Sequence, residues 1–302
     1  MVVSGNQPGP HLLIIAGVHG DEYEPILAVE RLIEKFGNGP NLDCGRLTLV
    51  RVVNEPANDL DARCGPDGKD LARTCPGNPD GSITEQIASE ISALIRTADY
   101  LIDMHTGGKM YEIYPLTGYV LHPDSQILEK QRKMCQVFGL DVQWGTSPHL
   151  DGRTLSVARD AGVPAIYTEY GGGGPARSEI VEALYRGCIN VMVDLQLVPN
   201  PGLQIVPPTF IVEDHRTDSG HLQILYPAPA NGHTSLQVSL GSMVHKEQCI
   251  ARITPMDSDD ELEITALEDG LVFLLNRQPD VTKGESTAGV LPITQPGKIS
   301  IP

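Results

Sequence analysis

The chain is short of the features that attach a protein to a membrane or to nucleic acid. None of its apolar runs approaches the ~20 residues that a membrane-spanning helix requires. Cations are scarce: 22 lysines and arginines stand against 39 acids, for a net charge of -17. Such a surface repels a phosphate backbone and gains nothing from an anionic lipid face. The expected partner is a small-molecule substrate, with no nucleic acid and no membrane; homo-oligomeric assembly stays open. Aromatic residues make up only 5% of the chain, so the core is expected to be aliphatic. The cysteines (Cys44, Cys64, Cys75, Cys135, Cys188, Cys249) show no Cys-x-x-Cys spacing. That pattern suits reduced thiols in a cytoplasmic enzyme better than a disulfide framework. The N-terminal residues include neither the basic nor the apolar segment of an export signal, and this again favours the cytoplasm.

What is present is alternation. Apolar runs of buried-strand length occur at 11–16, 46–53, 99–104 and 164–169, with longer helix-like stretches at 22–36, 82–96, 125–138, 153–161 and 178–195. Ser82 followed by Glu85 is a capping-box signature at the start of one of them. Strand and helix in turn predict an α/β domain over 1–198, its mainly parallel, mixed sheet covered by helices on both faces. Residues 199–208 are expected to be a proline-rich linker that no helix crosses. Over 209–302, short β-type runs separated by Gly, Pro, Asn and Asp predict a small all-β accessory domain of barrel or sandwich type. Its runs at 240–253, 269–273 and 281–285 resemble the hairpins of biotinyl/lipoyl barrels. A carrier would need a lysine at the intervening tip, and 261–269 has none.

Chemistry concentrates where the strands end. The run from Leu12 to Ala16 gives way to Gly17, then to His19 and, three residues on, Glu22. Open α/β sheets place their sites beyond the carboxyl ends of strands. Imidazole and carboxylate at this spacing can close on one metal ion, and both suit zinc. A catalytic zinc site needs a third protein ligand and an open position. A second run, Tyr100 to Met104, delivers His105 in the same manner before Gly107 and Gly108. A histidine after a strand is often only a loop residue; the acid at the right spacing and a second histidine in an equivalent setting argue for a built site. His11, His122, His149, His215, His221, His233 and His245 lack that context and are expected in loops or at the surface.

Between the two ligand-bearing strands lies a long Gly- and Pro-rich segment, 53–77. Loops of this length are often functional. Its Arg63 and Arg73 are natural clamps for a carboxylate or a developing oxyanion, and Asp70 can accept the second ring hydrogen of a metal-bound histidine. Glu169 ends an aliphatic strand and is followed by Tyr170 and four glycines, Gly171 to Gly174. A carboxylate beside a metal-activated water can take its proton and hand it to a leaving amine.

With these residues in view, the sequence resembles the succinylglutamate desuccinylase/aspartoacylase family of zinc carboxypeptidase-like metallohydrolases. The resemblance rests on His19-Gly-Asp-Glu22, the Asn54-x-Pro-Ala loop with Arg63, Asp70-Leu-x-Arg73-x-x-Pro-Gly77, Asp103-x-His105 and Glu169. It implies one zinc per chain held by His19, Glu22 and His105, with Glu169 as general base and acid. It also implies Arg63 polarising the scissile carbonyl and Arg73 gripping a substrate carboxylate. Asn54, Ala72 and Tyr170 are the further expected substrate-binding residues. The family usually has asparagine where this chain has Ala72, which points away from N-acetylaspartate and N-succinylglutamate. Either Arg153 or Arg159 is a candidate to complete the pocket. The expected activity is hydrolysis of the amide bond of a small N-acyl amino acid or related acyl-amine. The alternatives are a metallocarboxypeptidase and an inactive metal-binding relative, the latter disfavoured by the intact Glu169 and Arg63.

Overall fold

The computed structural model describes residues 1–37, 42–200, 202, 206–222, 225–256, 258, 260–293 and 299–302. Seven strands come first: β1 (Val2–Ser4), β2 (Gln7–Ile15), β3 (Cys44–Val50), β4 (Tyr100–His105), β5 (Tyr111–Val120), β6 (Val142–Thr146) and β7 (Ala165–Gly171). Around them run α1 (Tyr23–Gly37), α2 (Glu55–Asp59), α3 (Ile83–Ile95), α4 (Ser125–Phe138), α5 (Thr154–Ala161) and α6 (Ser178–Asp194). The strands and helices expected from periodicity all form, with ends moved by a few residues. At the start of α3 the Ser82 N–H donates to Glu85 Oε2 at 2.9 Å. Periodicity does not announce β5 or β6. Pro115 and Gly118 lie inside β5, and such residues argue against a central strand. The ladder with β7 shifts register between Ile113 and Leu116, the irregularity that accommodates Pro115.

The later strands are β8 (Phe210–Glu213), β9 (Gly232–Leu236), β10 (Met243–Val244), β11 (Cys249–Pro255), β12 (Leu262–Thr265), β13 (Gly270–Asn276), β14 (Asp280–Val281), β15 (Ala288–Pro292) and β16 (Ile299–Ser300). The large sheet runs β1-β3-β2-β4-β7-β5-β6-β8-β16. It is parallel from β3 through β2 and β4 to β7, and again from β5 through β6 and β8 to β16, with β5 antiparallel to β7. Leu12, Ile14, Ile102 and Ile166 face α1, α4 and α6, whereas Leu13, Ile15, Leu101 and Ala165 face α3 and α5. Each fully buried Leu or Ile there contributes about 1.5–3 kcal/mol relative to an exposed one. The class is the expected mixed, mainly parallel α/β sheet.

Strands β9, β11, β12 and β14 form a separate four-stranded sheet. The other late strands join the large one: β8 and β16 extend it past β6, and β13, with β10 and β15 beside it, pairs with β5. No α-helix occurs among the described residues after 208. Residues 201 and 203–205 of the proline-rich segment lie outside the described residues. Among the described residues no helix is long and apolar enough to cross a membrane. One expectation about the histidines needs correcting. His11 is buried inside β2, with Nε2 2.8 Å from Thr48 Oγ1 and Nδ1 3.0 Å from the Thr97 carbonyl, so two polar partners make an interior strand position tolerable.

Candidate active site

The parallel strands β2, β4 and β7 bring their carboxyl ends to one edge, and the side chains just beyond them meet. His19 reaches this edge because the next residue has no side chain: a Cβ on Gly20 would lie 2.0 Å from the carbonyl carbon of Ala57. Glu22 stands immediately before α1, and His105 closes β4. The three residues are 4%, 1% and 8% exposed, so their polar atoms must satisfy one another or a ligand. His19 Nδ1 lies 2.7 Å from Glu22 Oε1, and His105 Nδ1 lies 2.9 Å from Glu22 Oε2. One ligand atom from each of the three lies within 4.8 Å of the other two. Burial alone would raise the Glu22 carboxyl, but the two imidazoles hold it well below the usual carboxylate range. Two imidazoles around an ionised, buried carboxylate are a donor set that fits zinc.

The outer nitrogens of both rings also face carboxylates. His19 Nε2 is 3.1 Å from Asp70 Oδ1, and His105 Nε2 is 3.1 Å from Asp103 Oδ1, the latter an ion-pair contact without hydrogen-bond alignment. Asp103 Oδ2 accepts from the Thr154 hydroxyl. Asp70 does more than orient one ring. Arg63 donates to it through Nε and Nη2 at 3.1 and 3.0 Å, and Ala72 N–H donates to it at 2.9 Å, capping the short 3-10 turn Leu71–Arg73. Burial opposes its ionisation, yet His19 and Arg63 keep the Asp70 carboxyl far below its ordinary value.

Glu169 stands beside His105 in register on β7. Its Oε2 is buried and has no hydrogen-bond partner among the described residues. Burial pushes its carboxyl up to about 8; His105 opposes this and Glu22 adds to it. Arg63, Ala72 and Arg73 line the same cavity as Glu169 and the two histidines. Arg153 lines it too, as the residue before α5. Its Nη1 donates to the Gly220 carbonyl at 3.1 Å, and its Nε and Nη2 are buried with no hydrogen-bond partner among the described residues. Burial first, then the neighbouring Arg73, pushes Arg153 down to about 10.

Not every expected residue arrives. Asn54 is fully buried as the N-cap of α2, accepting from Ala57 N–H and donating to the Val18 carbonyl, and it does not line the cavity. Tyr170 lies on the other face of β7 from Glu169, packed against the α1 and α6 core. Arg159 points away to Asp151, Asp160 and the Pro148 carbonyl, which leaves Arg153 as the arginine at the cavity. Tyr167 carries no sequence-based expectation and Asp103 enters only within the Asp103-x-His105 motif, although each sits two residues before a singled-out residue on the same strand. Alternation puts such pairs on one face.

Comparison with known proteins bears on the same residues. The model of the succinylglutamate desuccinylase/aspartoacylase catalytic domain matches residues 8–195. The chain is 30% identical, over 95% of its length and 83% of the relative's, to the N-alpha-acetyl-L-2,4-diaminobutyric acid deacetylase of Halomonas elongata. The product-bound ectoine utilization protein EutE from Ruegeria pomeroyi superposes with a TM-score of 0.84 at 25% identity, covering 96% of this chain and 87% of that one. A succinylglutamate desuccinylase/aspartoacylase from Rhodobacter sphaeroides does so with a TM-score of 0.84 at 26% identity, covering 97% and 88%. Residues 8–195 carry β2, β4, β7 and the side chains of His19, Glu22, His105 and Glu169 that meet at the strand ends, and on that match this chain belongs to the succinylglutamate desuccinylase/aspartoacylase family.

Proposed function

We propose that this protein is a zinc-dependent deacylase that hydrolyses the amide bond of a small N-acyl amino acid. The observation that carries the reading is the meeting of His19, Glu22 and His105 with Glu169 and Arg63 at one cavity. The two Nδ1 atoms and a Glu22 oxygen would hold one zinc ion. Bound there, zinc supplies the Lewis acidity that polarises a carbonyl and makes water a nucleophile near neutral pH. Glu169 takes the proton of the attacking water and returns it to the departing amine nitrogen. A buried carboxylate with a raised proton affinity is suited to hold that proton in between. Arg63, fixed by Asp70, offers positive charge to the developing oxyanion, commonly the largest single contribution to such catalysis. Asp70 and Asp103 orient the two imidazoles. Asp70→Asn and Asp103→Asn are each expected to weaken zinc binding by about 10–100-fold. Competition with a chromophoric chelator measures this, and unchanged affinity in both would remove the orienting role.

Arg73 and Arg153 support a substrate carboxylate, and Ala72 places a methyl group beside them. The Halomonas elongata relative is named for the N-alpha-acetyl form of a diamino acid, with one carboxylate and a basic side chain; an N-acetyl amino acid with one carboxylate is proposed here too, but with a neutral or apolar group against Ala72. Gly220, Leu222 and Leu274, from the later part of the chain, wall the cavity and favour a small substrate over a peptide. The test is zinc-loaded protein assayed for released amine on the N-acetyl derivatives of alanine, leucine, aspartate and glutamate and on dipeptides. The neutral N-acetyl amino acids are expected to be preferred, and Ala72→Asn to shift preference toward N-acetylaspartate. Cleavage of dipeptides alone would replace this reading with a carboxypeptidase, and a preference for N-acetylaspartate that Ala72→Asn fails to improve would overturn the account of the pocket.

A further inference from the structure

Tyr167 was not singled out by any sequence motif, yet the fold makes a place for it. It lies two residues before Glu169 on β7 and turns to the same cavity. Its ring crosses the neighbouring strand where Gly118 stands opposite in register. A Cβ at Gly118 would come within 2.0 Å of Tyr167 Cζ and 2.4 Å of its hydroxyl oxygen. Gly118 thus leaves the gap through which the ring passes, a use of glycine for close approach inside a strand. The phenol shares its surroundings with Arg153 and Glu169. Burial keeps it protonated far above its usual range, so it meets a ligand as a neutral donor. Thr146, whose hydroxyl donates to the Tyr119 carbonyl at 3.2 Å, is itself a hydrogen-bond partner of the phenol, and a ligand carboxylate would take its place as the acceptor. A neutral hydroxyl beside a guanidinium is a composition suited to a carboxylate, which accepts from both.

We propose that the Tyr167 hydroxyl, admitted by the gap at Gly118, donates a hydrogen bond to the substrate carboxylate next to Arg153 and so selects for amino-acid amides. The inference rests on the deacylase reading above. It assigns Tyr167 a role in specificity, not in proton transfer.

The variant that tests it is Tyr167→Phe, which keeps the ring and removes one oxygen. Two compounds are compared on the zinc-loaded protein: N-acetyl-L-alanine and N-ethylacetamide, the same amide without the carboxylate. Steady-state rates are measured on wild type and Tyr167→Phe. Binding is measured by calorimetry on Glu169→Gln and Glu169→Gln/Tyr167→Phe, where turnover does not interfere. A hydrogen bond to a charged group is worth a factor of roughly 10–100 in binding. Tyr167→Phe is therefore expected to raise KM and Kd for N-acetyl-L-alanine by that factor, with kcat nearly unchanged, and to leave N-ethylacetamide unaffected. Equal losses on both compounds, or no loss on either, would overturn the assignment. Hydrolysis by wild type that Tyr167→Phe does not alter sinks this inference alone. If wild type hydrolyses no N-acyl compound, the deacylase reading fails, and the calorimetric comparison still decides whether Tyr167 contacts a carboxylate. Failure of N-acetyl-L-alanine to bind at all overturns both.

Discussion

His105→Ala should yield a folded protein that no longer retains zinc and has lost its hydrolytic activity. His105 offers one of the three converging atoms that could hold a metal ion and is the group that faces both Glu22 Oε2 and Asp103 Oδ1. Removing it leaves two buried carboxylates, 1% and 0% exposed, without the ring between them. Glu22 then keeps only His19 as a partner, and two ligand atoms cannot hold the ion as three do. The measurement is elemental analysis after dialysis against dilute zinc, with amide hydrolysis assayed in parallel and circular dichroism to establish folding. His19→Ala and Glu22→Ala are expected to behave alike, because zinc needs all three protein ligands together. One zinc per chain retained in His105→Ala would show that the third ligand lies elsewhere.

The second large effect is expected at Glu169. Glu169→Gln preserves the shape of the side chain and abolishes its capacity to accept a proton. Oε2 makes no hydrogen bond among the described residues, and burial is the main reason the carboxyl titrates near 8. A carboxyl with so raised a proton affinity is largely neutral near pH 7, so a neutral amide in its place changes the buried charge little, and the fold should be about as stable. Turnover is expected to fall by roughly 10²–10⁴-fold, the usual worth of a positioned acid–base group. Zinc content and KM should change little, since Glu169 is not among the converging ligand atoms. Rates within a few-fold of wild type would remove Glu169 from proton transfer and move attention to the other titratable groups that line the cavity.

Much of the site was legible in the sequence because strands end in recognisable ways. Apolar runs terminating in His19, His105 and Glu169 told where three chain segments would present polar groups, and parallel packing of such strands leaves those ends on one edge. The misplacements have one cause. Tyr170 adjoins Glu169 and Asn54 belongs to the motif with Arg63, but adjacency along the chain does not set where a side chain points. Period-two alternation puts Tyr170 on the far face of β7, and the exposed amides at the start of α2 claim the Asn54 side chain. Applied strictly, the same alternation pairs Asp103 with His105 and Tyr167 with Glu169.

Other features had no local signal. Strand β5 is disguised by Pro115 and Gly118, and its role appears only when Tyr167 crosses it. Which arginine reaches the cavity depended on where α5 begins: Arg153, before the helix, turns inward, while Arg159, near its end, is taken up by surface acids. Leu274 becomes a cavity wall because β13 pairs with β5, a contact between residues more than 150 positions apart that no pattern of short range encodes. The sequence by itself determined the alternation of strands and helices, the aliphatic core and the residues at the strand ends, because periodicity and residue chemistry act over a few positions. Only the tertiary structure decided which carboxylate faces each imidazole, which arginine lines the cavity and what closes it, because those depend on long-range pairing and on the space that packing leaves.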